Sequence, residues 1–466
     1  MSFIVYDLAF LVASTLAVVL FLYTRKHNLK REGLLYLYRT KIGIKFIEWT
    51  SKKFSKILMP LQYVILASGY LLMILMVWYF FKFSYMYLAS PGLAEQLRVP
   101  ILTPLVPYID KLFAVDFLPP FYFTYWIVII AIIAIPHEFA HGIFARLNKI
   151  KIHSTGFGFL GPFLAAFVEQ DEKDMNKSSK FAQLSVLAAG TFANILTAIL
   201  FGIILWLFII ATMSPIGVYF NTYSTAIINT EDINLVNGLP ILDAQINESS
   251  QFVNLEANNR SYLVPPSILK RTLDEQRPQI GVYDDAPAVK SELSGAILSV
   301  NGNKITSFDD LRTQIATHSP GEQITIKTLI DEKTKETKDY ELTLADRDGN
   351  PFLGIGIIPQ QTTGLRGIIM NSIIKIKDPM VYYESKLGDF GTFIYDLLWW
   401  TILISISVAL VNMLPVGIFD GGRFFYLTIW GITGSKKIGE KAFKASTWLM
   451  LILILVLMIR WVFIFF

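Results

Sequence analysis

Long apolar runs separated by polar stretches set the pattern of this chain, and six of them reach the length of about 20 residues that a helix needs to cross a bilayer. They extend from Phe3 to Tyr23, Ile57 to Phe81, Phe121 to Ala145, Phe181 to Ala211, Phe390 to Leu414 and Ser446 to Phe466. A shorter run, Phe424 to Ile432, is too brief to cross alone and is expected to extend the fifth span or to re-enter beside it. No Lys or Arg precedes the first run, so it lacks the basic start of a cleavable signal peptide and reads as a retained span.

The stretch from Thr212 to Asp389 follows a different pattern. Ala296, Leu298 and Val300 alternate with other residues and lead into Asn301-Gly302, which predicts a hairpin. A Ser cap then opens a helix over Ser307 to Ile315, and after the Pro320-Gly321 turn come strands at Ile324 to Leu329 and Tyr340 to Leu344. The expected fold is therefore a polytopic α-helical membrane protein of about six transmembrane helices with an inserted soluble α+β domain. The order of elements around Ala286-Pro287-Ala288, Gly295-Ala296-Ile297 and Val300-Asn301-Gly302 resembles a PDZ domain, about residues 280–360; a structural ectodomain without a ligand groove is the alternative.

Composition agrees with a membrane protein, since 53% of the 466 residues are hydrophobic and 17% charged, too apolar for an ordinary soluble enzyme of this size. Cysteine is absent, which excludes disulfides, thiol nucleophiles and Cys-ligated metals, so any metal must sit on His and carboxylates. The net charge of +4 implies no nucleic acid and matters mainly through its distribution. Between spans one and two lie Arg25, Lys26, Lys30, Arg31, Arg39, Lys41, Lys45, Lys52, Lys53 and Lys56 against Glu32 and Glu48, which places that loop in the cytoplasm by the positive-inside rule. The N-terminus and the insertion are then extracytoplasmic, and Lys436, Lys437, Lys441 and Lys444 fall inside again.

The third span carries ionisable residues where they are costly, in Pro136-His137-Glu138-Phe139-Ala140-His141-Gly142. Residues four apart share a helical face, so His137 and His141 can present two imidazoles to one metal while Glu138 stands one step round. Amide hydrolysis uses that arrangement: zinc acidifies water toward a pKa of about 7, and a nearby carboxylate takes the proton and passes it to the leaving nitrogen. Glu138 is the expected general base. Two helical histidines with ordinary hydrogen-bond partners are the alternative, but the chain has only five histidines and two of them meet this pattern.

A catalytic zinc takes three protein ligands and keeps one position open. His27, His153 and His318 lie in loops or in the insertion, and the best acid is Asp420, in Asn412-Met413-Leu414-Pro415-Val416-Gly417-Ile418-Phe419-Asp420-Gly421-Gly422 at the inner end of span five. Pro415 breaks the helix and the glycines permit unusual backbone, so the acid can turn toward a buried partner; a helix-capping Asp is the alternative. The two histidines lie near the inner end of their own span, so all three share a depth.

The pattern His137-Glu138-x-x-His141 in one span and Asn412-x-x-Pro415-x-x-x-x-Asp420-Gly421 in a later one resembles the two signatures of the site-2 protease family of intramembrane zinc metalloproteases. The resemblance covers roughly residues 121–425 and implies that Asp420 is the third zinc ligand. It also implies that Gly156-Phe157-Gly158 and Gly161-Pro162 belong to a re-entrant β-loop able to add an edge strand to an unwound substrate, with a plain turn as the alternative. Ala189-Gly190-Thr191-Phe192-Ala193-Asn194 is similar to a family pattern Gly-Pro-x-x-Asn, except that Thr191 stands where proline is usual. Asn194 is a candidate for hydrogen-bonding the substrate carbonyl or its oxyanion, or else for bonding across to a neighbouring helix.

The expected organisation is 1–120, N-terminal helices with the basic loop; 121–212, the first part of the catalytic core; 213–389, the insertion; and 390–466, the Asp-ligand span and a C-terminal span. The segment from Gly364 to Lys386, with Pro379, Tyr382 and Tyr383, is expected to lie on the outer surface as an amphipathic stretch or to be a simple linker. Expected partners are transmembrane protein substrates, the lipid bilayer and a peptide C-terminus at the PDZ-like domain. The rival readings are a PDZ-bearing scaffold or an inactive protease homologue, against which Glu138 argues, and a metal transporter, against which the gathering of ionisable residues at one depth argues.

Overall fold

The computed structural model describes residues 3–32, 35–90, 105–113, 118–160, 163–241, 246–247, 249–332, 334–358 and 377–465. Within these, six helices are long and apolar enough to cross a membrane. They are α1 (Phe3–Thr24), α3 (Ser55–Ala89), α4 (Phe123–Leu147), α5 (Lys180–Thr212), α6 (Gly388–Val411) and α8 (Lys436–Phe465), joined by the shorter α2 (Ile44–Lys53) and α7 (Asp420–Thr433). The chain divides into two compact units, Met1–Leu207 with Phe393–Phe466, and Phe208–Thr392.

In the first unit, the start of α4 shows how a buried charge orders two helices. The residue before α4, Tyr122, offers no side-chain cap, so the first N–H groups of the helix need an outside acceptor. Asp7 of α1, 1% exposed, provides it, accepting from Phe123 N at 2.8 Å, Thr124 N at 2.9 Å and the Tyr108 hydroxyl at 2.7 Å. Further along, small residues allow close packing: a Cβ on Gly69 of α3 would lie 2.8 Å from that of Ala188 in α5, and Phe424 of α7 fills the adjoining space. Ile65, Ala188, Ala189, Ala409, Met413 and Phe424 form the apolar core there.

The polar sequence between α1 and α3 is more than a loop. It supplies α2 and a hairpin, β1 (Leu29–Glu32) and β2 (Leu35–Thr40), and β2 pairs with β3 (Ile152–Leu160), which pairs with β4 (Phe163–Gln170). All neighbours in this four-stranded sheet are antiparallel, with Tyr38 opposite Phe157 and Gly158 opposite Ala165. Gly156-Phe157-Gly158 therefore occupies an inner strand, and the edges are β1 and β4; Gly161 and Pro162 lie outside the described residues.

Helix α5 runs unbroken through Thr191, whose hydroxyl bonds back to Ala188 O at 2.9 Å. The run Phe424 to Ile432 belongs to a separate helix, α7, set off from α6 by the turn 412–419.

The second unit holds two six-stranded sheets among the described residues. The first, in spatial order, comprises Thr225–Asn229, Gln279–Asp284, Arg260–Val264, Val253–Ala257, Ile233–Val236 and Leu239–Pro240, over a core of Val253, Leu255, Val264 and Leu269. The second comprises Glu336–Thr343, Gln323–Asp331, Ala296–Val300, Met213–Val218 and Val381–Ser385, with Asn303–Lys304 paired to Ala296–Val300. The Asn301-Gly302 turn has φ of 48° and 80°, the left-handed pair a two-residue hairpin requires, and Ser307 caps the helix Phe308–Ala316 by accepting from Asp310 N at 3.1 Å. Tyr382 and Tyr383 sit in the last strand, opposite Gly217 and Pro215, and not in a surface amphipathic stretch; residues 364–376 of that stretch lie outside the described residues.

Candidate metal centre

Three elements converge at the inner core of the first unit. His137 and His141 lie on one face of α4, 8% and 7% exposed, with their Nε2 atoms 3.1 Å apart. Asp420 is the first residue of α7, nine residues beyond the last residue of α6, and its Oδ2 lies 3.6 Å from His137 Nε2 and 3.3 Å from His141 Nε2. The turn doubles back because Gly421 N donates to Asn412 O at 2.7 Å, and because Gly421 has no Cβ to strike Met413 O, 2.5 Å from where one would be. A carboxylate in the first turn of a helix also meets the positive end of the helix dipole.

These separations fit a single metal ion. Ligand atoms about 2.0–2.1 Å from a tetrahedral zinc lie about 3.3 Å from one another, and the three here are 3.1–3.6 Å apart. A carboxylate and two imidazoles facing one another at these distances form a donor set that suits a divalent cation. Space is reserved as well. A Cβ on Gly190 of α5 would lie 2.4 Å from His141 Nε2 and 2.7 Å from His137 Nε2, in the volume an ion would take. The His–His–Asp group can bind a metal ion, and among the described residues it is the group of three that can.

The other candidates fall elsewhere. His153 pairs with Asp171 at 3.0 Å, His318 with Glu322 at 2.7 Å, and His27 lies in the turn after α1. Glu138 is half-buried, and its Oε2 accepts from Val168 N of the β4 edge at 3.0 Å. Asn194, fully buried on α5, reaches across to α4, with its amide nitrogen 3.0 Å from His137 Nδ1. Its amide thus has a partner in the histidine and not only in a future substrate. On the same helix, Val186 O lies 2.7 Å from His141 Nδ1. The sequence reading named Gly190 only as part of the pattern that leads to Asn194, without a place beside the histidines, and missed Val186 and Val168.

The model of Peptidase family M50 matches residues 125–457. The chain belongs to Peptidase family M50. Relatives within reach of this M50 chain include the zinc metalloprotease RasP of Shouchella clausii, 24% identical over 188 residues, 34% of this chain and 44% of that protein. A putative zinc metalloprotease of Synechocystis is 25% identical over 194 residues, 35% of this chain and 53% of that protein, so the chain spans about half the length of these two relatives. A third, a putative zinc metalloprotease of Neisseria meningitidis, is 22% identical over 416 residues, 68% of this chain and 92% of that protein. Membership in M50 and the six apolar helices found among the described residues fit a multi-pass membrane protein.

Proposed function

We propose that the chain is an intramembrane zinc endopeptidase that cleaves transmembrane segments of other membrane proteins. The observation that carries this is the convergence of His137 and His141, on the spanning helix α4, with Asp420 at the start of the short helix α7, and Glu138 beside the two histidines in sequence. His137 and His141 through Nε2, and Asp420 through a carboxylate oxygen, would hold the ion. Zinc, when bound, supplies Lewis acidity that polarises a carbonyl and acidifies water. Glu138 would take a proton from the attacking water and return it to the leaving amide nitrogen, and the Val168 N–H, which donates to its Oε2, would orient the carboxylate between the two tasks. A substrate helix must first give up its own hydrogen bonds, so glycine, proline or polar residues near the scissile bond favour cleavage.

The basic residues between α1 and α3 support an orientation with that segment and the site toward the cytoplasm, and the N-terminus and the inserted unit outside. In the inserted unit, the hairpin, capped helix and strands over 286–356 support a PDZ-like module that filters substrates or captures a C-terminus exposed by an earlier cut. The deciding experiment pairs metal analysis with cleavage of a transmembrane reporter. Glu138→Ala should keep its zinc and lose cleavage by about 100-fold or more; equal cleavage by variant and wild type would remove the claim that this site does the cutting, and a wild type that binds the reporter without cutting it would favour a client-binding scaffold.

A further inference from the structure

We propose that Asn194 is a positioning residue whose side-chain carbonyl accepts the Nδ1 proton of His137 and so turns the bare Nε2 of that ring toward the metal. This rests on the metalloprotease reading above. The two amide atoms of Asn194 differ in their surroundings in a telling way: Nδ2 lies 3.0 Å from His137 Nδ1, while Oδ1 is buried with no hydrogen-bond partner. With Nδ2 facing the ring, Nδ1 must accept, and a neutral imidazole then carries its proton on Nε2. That proton would point at His141 Nε2 and Asp420 Oδ2, closing His137 to a metal. Nitrogen and oxygen of an amide are interchangeable in shape, so a half-turn of the group puts Oδ1 against Nδ1–H and frees the Nε2 lone pair.

The second histidine shows that α5 is built for this. His141 Nδ1 lies 2.7 Å from Val186 O, a main-chain carbonyl that can only accept, so its Nε2 is bare. Val186, Gly190 and Asn194 are four residues apart in turn and share one face of α5. That face offers an acceptor for His141, an absent Cβ opposite the two Nε2 atoms and an acceptor for His137. An outer acceptor of this kind fixes both the tautomer and the tilt of a ligating imidazole.

The test compares the full-length wild type with Asn194→Leu, which removes acceptor and donor, and Asn194→Asp, which keeps an acceptor and removes the donor. Zinc affinity is measured by chelator competition, and ligand geometry by the visible spectrum of the cobalt-substituted protein. Asn194→Leu should weaken zinc by about 10- to 100-fold and shift the cobalt spectrum, while Asn194→Asp holds zinc within a few-fold of wild type. Wild-type affinity in both variants, with cleavage lost, would make Asn194 a substrate contact and overturn the proposal. Equal weakening in both would show that the donor matters, and overturn it too. A wild type that binds no zinc would instead remove the metalloprotease reading itself.

Discussion

The membrane-type unit and the inserted unit satisfy their buried polar groups by different rules. In the helices, buried hydroxyls bond to their own helix one turn back: Thr401 to Leu397 O at 2.7 Å and Ser405 to Thr401 O at 2.6 Å, both fully buried. Polar contact between helices is the exception, and its instances include Asp7 at the start of α4, the Gln62 amide shared by Asn148 and Ser185, and the metal centre. In the inserted unit the strands pair among themselves, the core is apolar, and polar side chains gather at turns and surfaces, as where Asn301 Oδ1 accepts from Thr325 N at 2.8 Å. Where the solvent is hydrocarbon, a cross-helix polar contact needs a reason; where it is water, polarity marks nothing by itself.

Three substitutions in the full chain can break this contrast. The largest effect should come from Gly190→Ala, whose Cβ occupies the ion's volume: zinc content by elemental analysis should fall to background while the helices persist by circular dichroism, and retained zinc would show that the centre is looser than drawn. Leu311→Ala, at 2% exposure in the second core of the inserted unit, should cost about 2–5 kcal/mol there. Hydrogen exchange should report faster opening across 208–392 with zinc content unchanged, and a loss of zinc would merge the two regions into one cooperative body. The smallest should be Asp7→Ala, which leaves the first N–H groups of α4 uncapped at a cost on the order of 2 kcal/mol in thermal denaturation. No shift in the midpoint would mean that water replaces the carboxylate.

How much of this was legible in the sequence follows from the range of each interaction. The helical histidines needed only the 3.6-residue repeat, and Asp420 could be reached because Pro415, Gly421 and Gly422 stand out in an apolar context. The hairpin at Asn301-Gly302 and the cap at Ser307 are local and fell where their residue types pointed. The β1–β2 hairpin was hidden, because its pairing partner lies more than a hundred residues away and the basic residues around it dominate the reading. The sheet over 225–284 went unread, although Val253, Leu255 and Ala257 alternate into Asn258-Asn259, which turn with φ of 53° and 60°. The partner of the Asn194 amide was beyond reach, since it depends on how two helices are rotated against each other.

The two histidines meet α5 at Nδ1 through groups of different kinds, one a peptide carbonyl and one a side-chain amide. Codon changes at position 186 leave the carbonyl in place, whereas a single one at 194 can delete the amide. Mutational drift in this lineage therefore meets one ligand that is insensitive to its neighbour's identity and one that is exposed to it, so a decayed copy that had lost cleavage would be expected to fail first at His137.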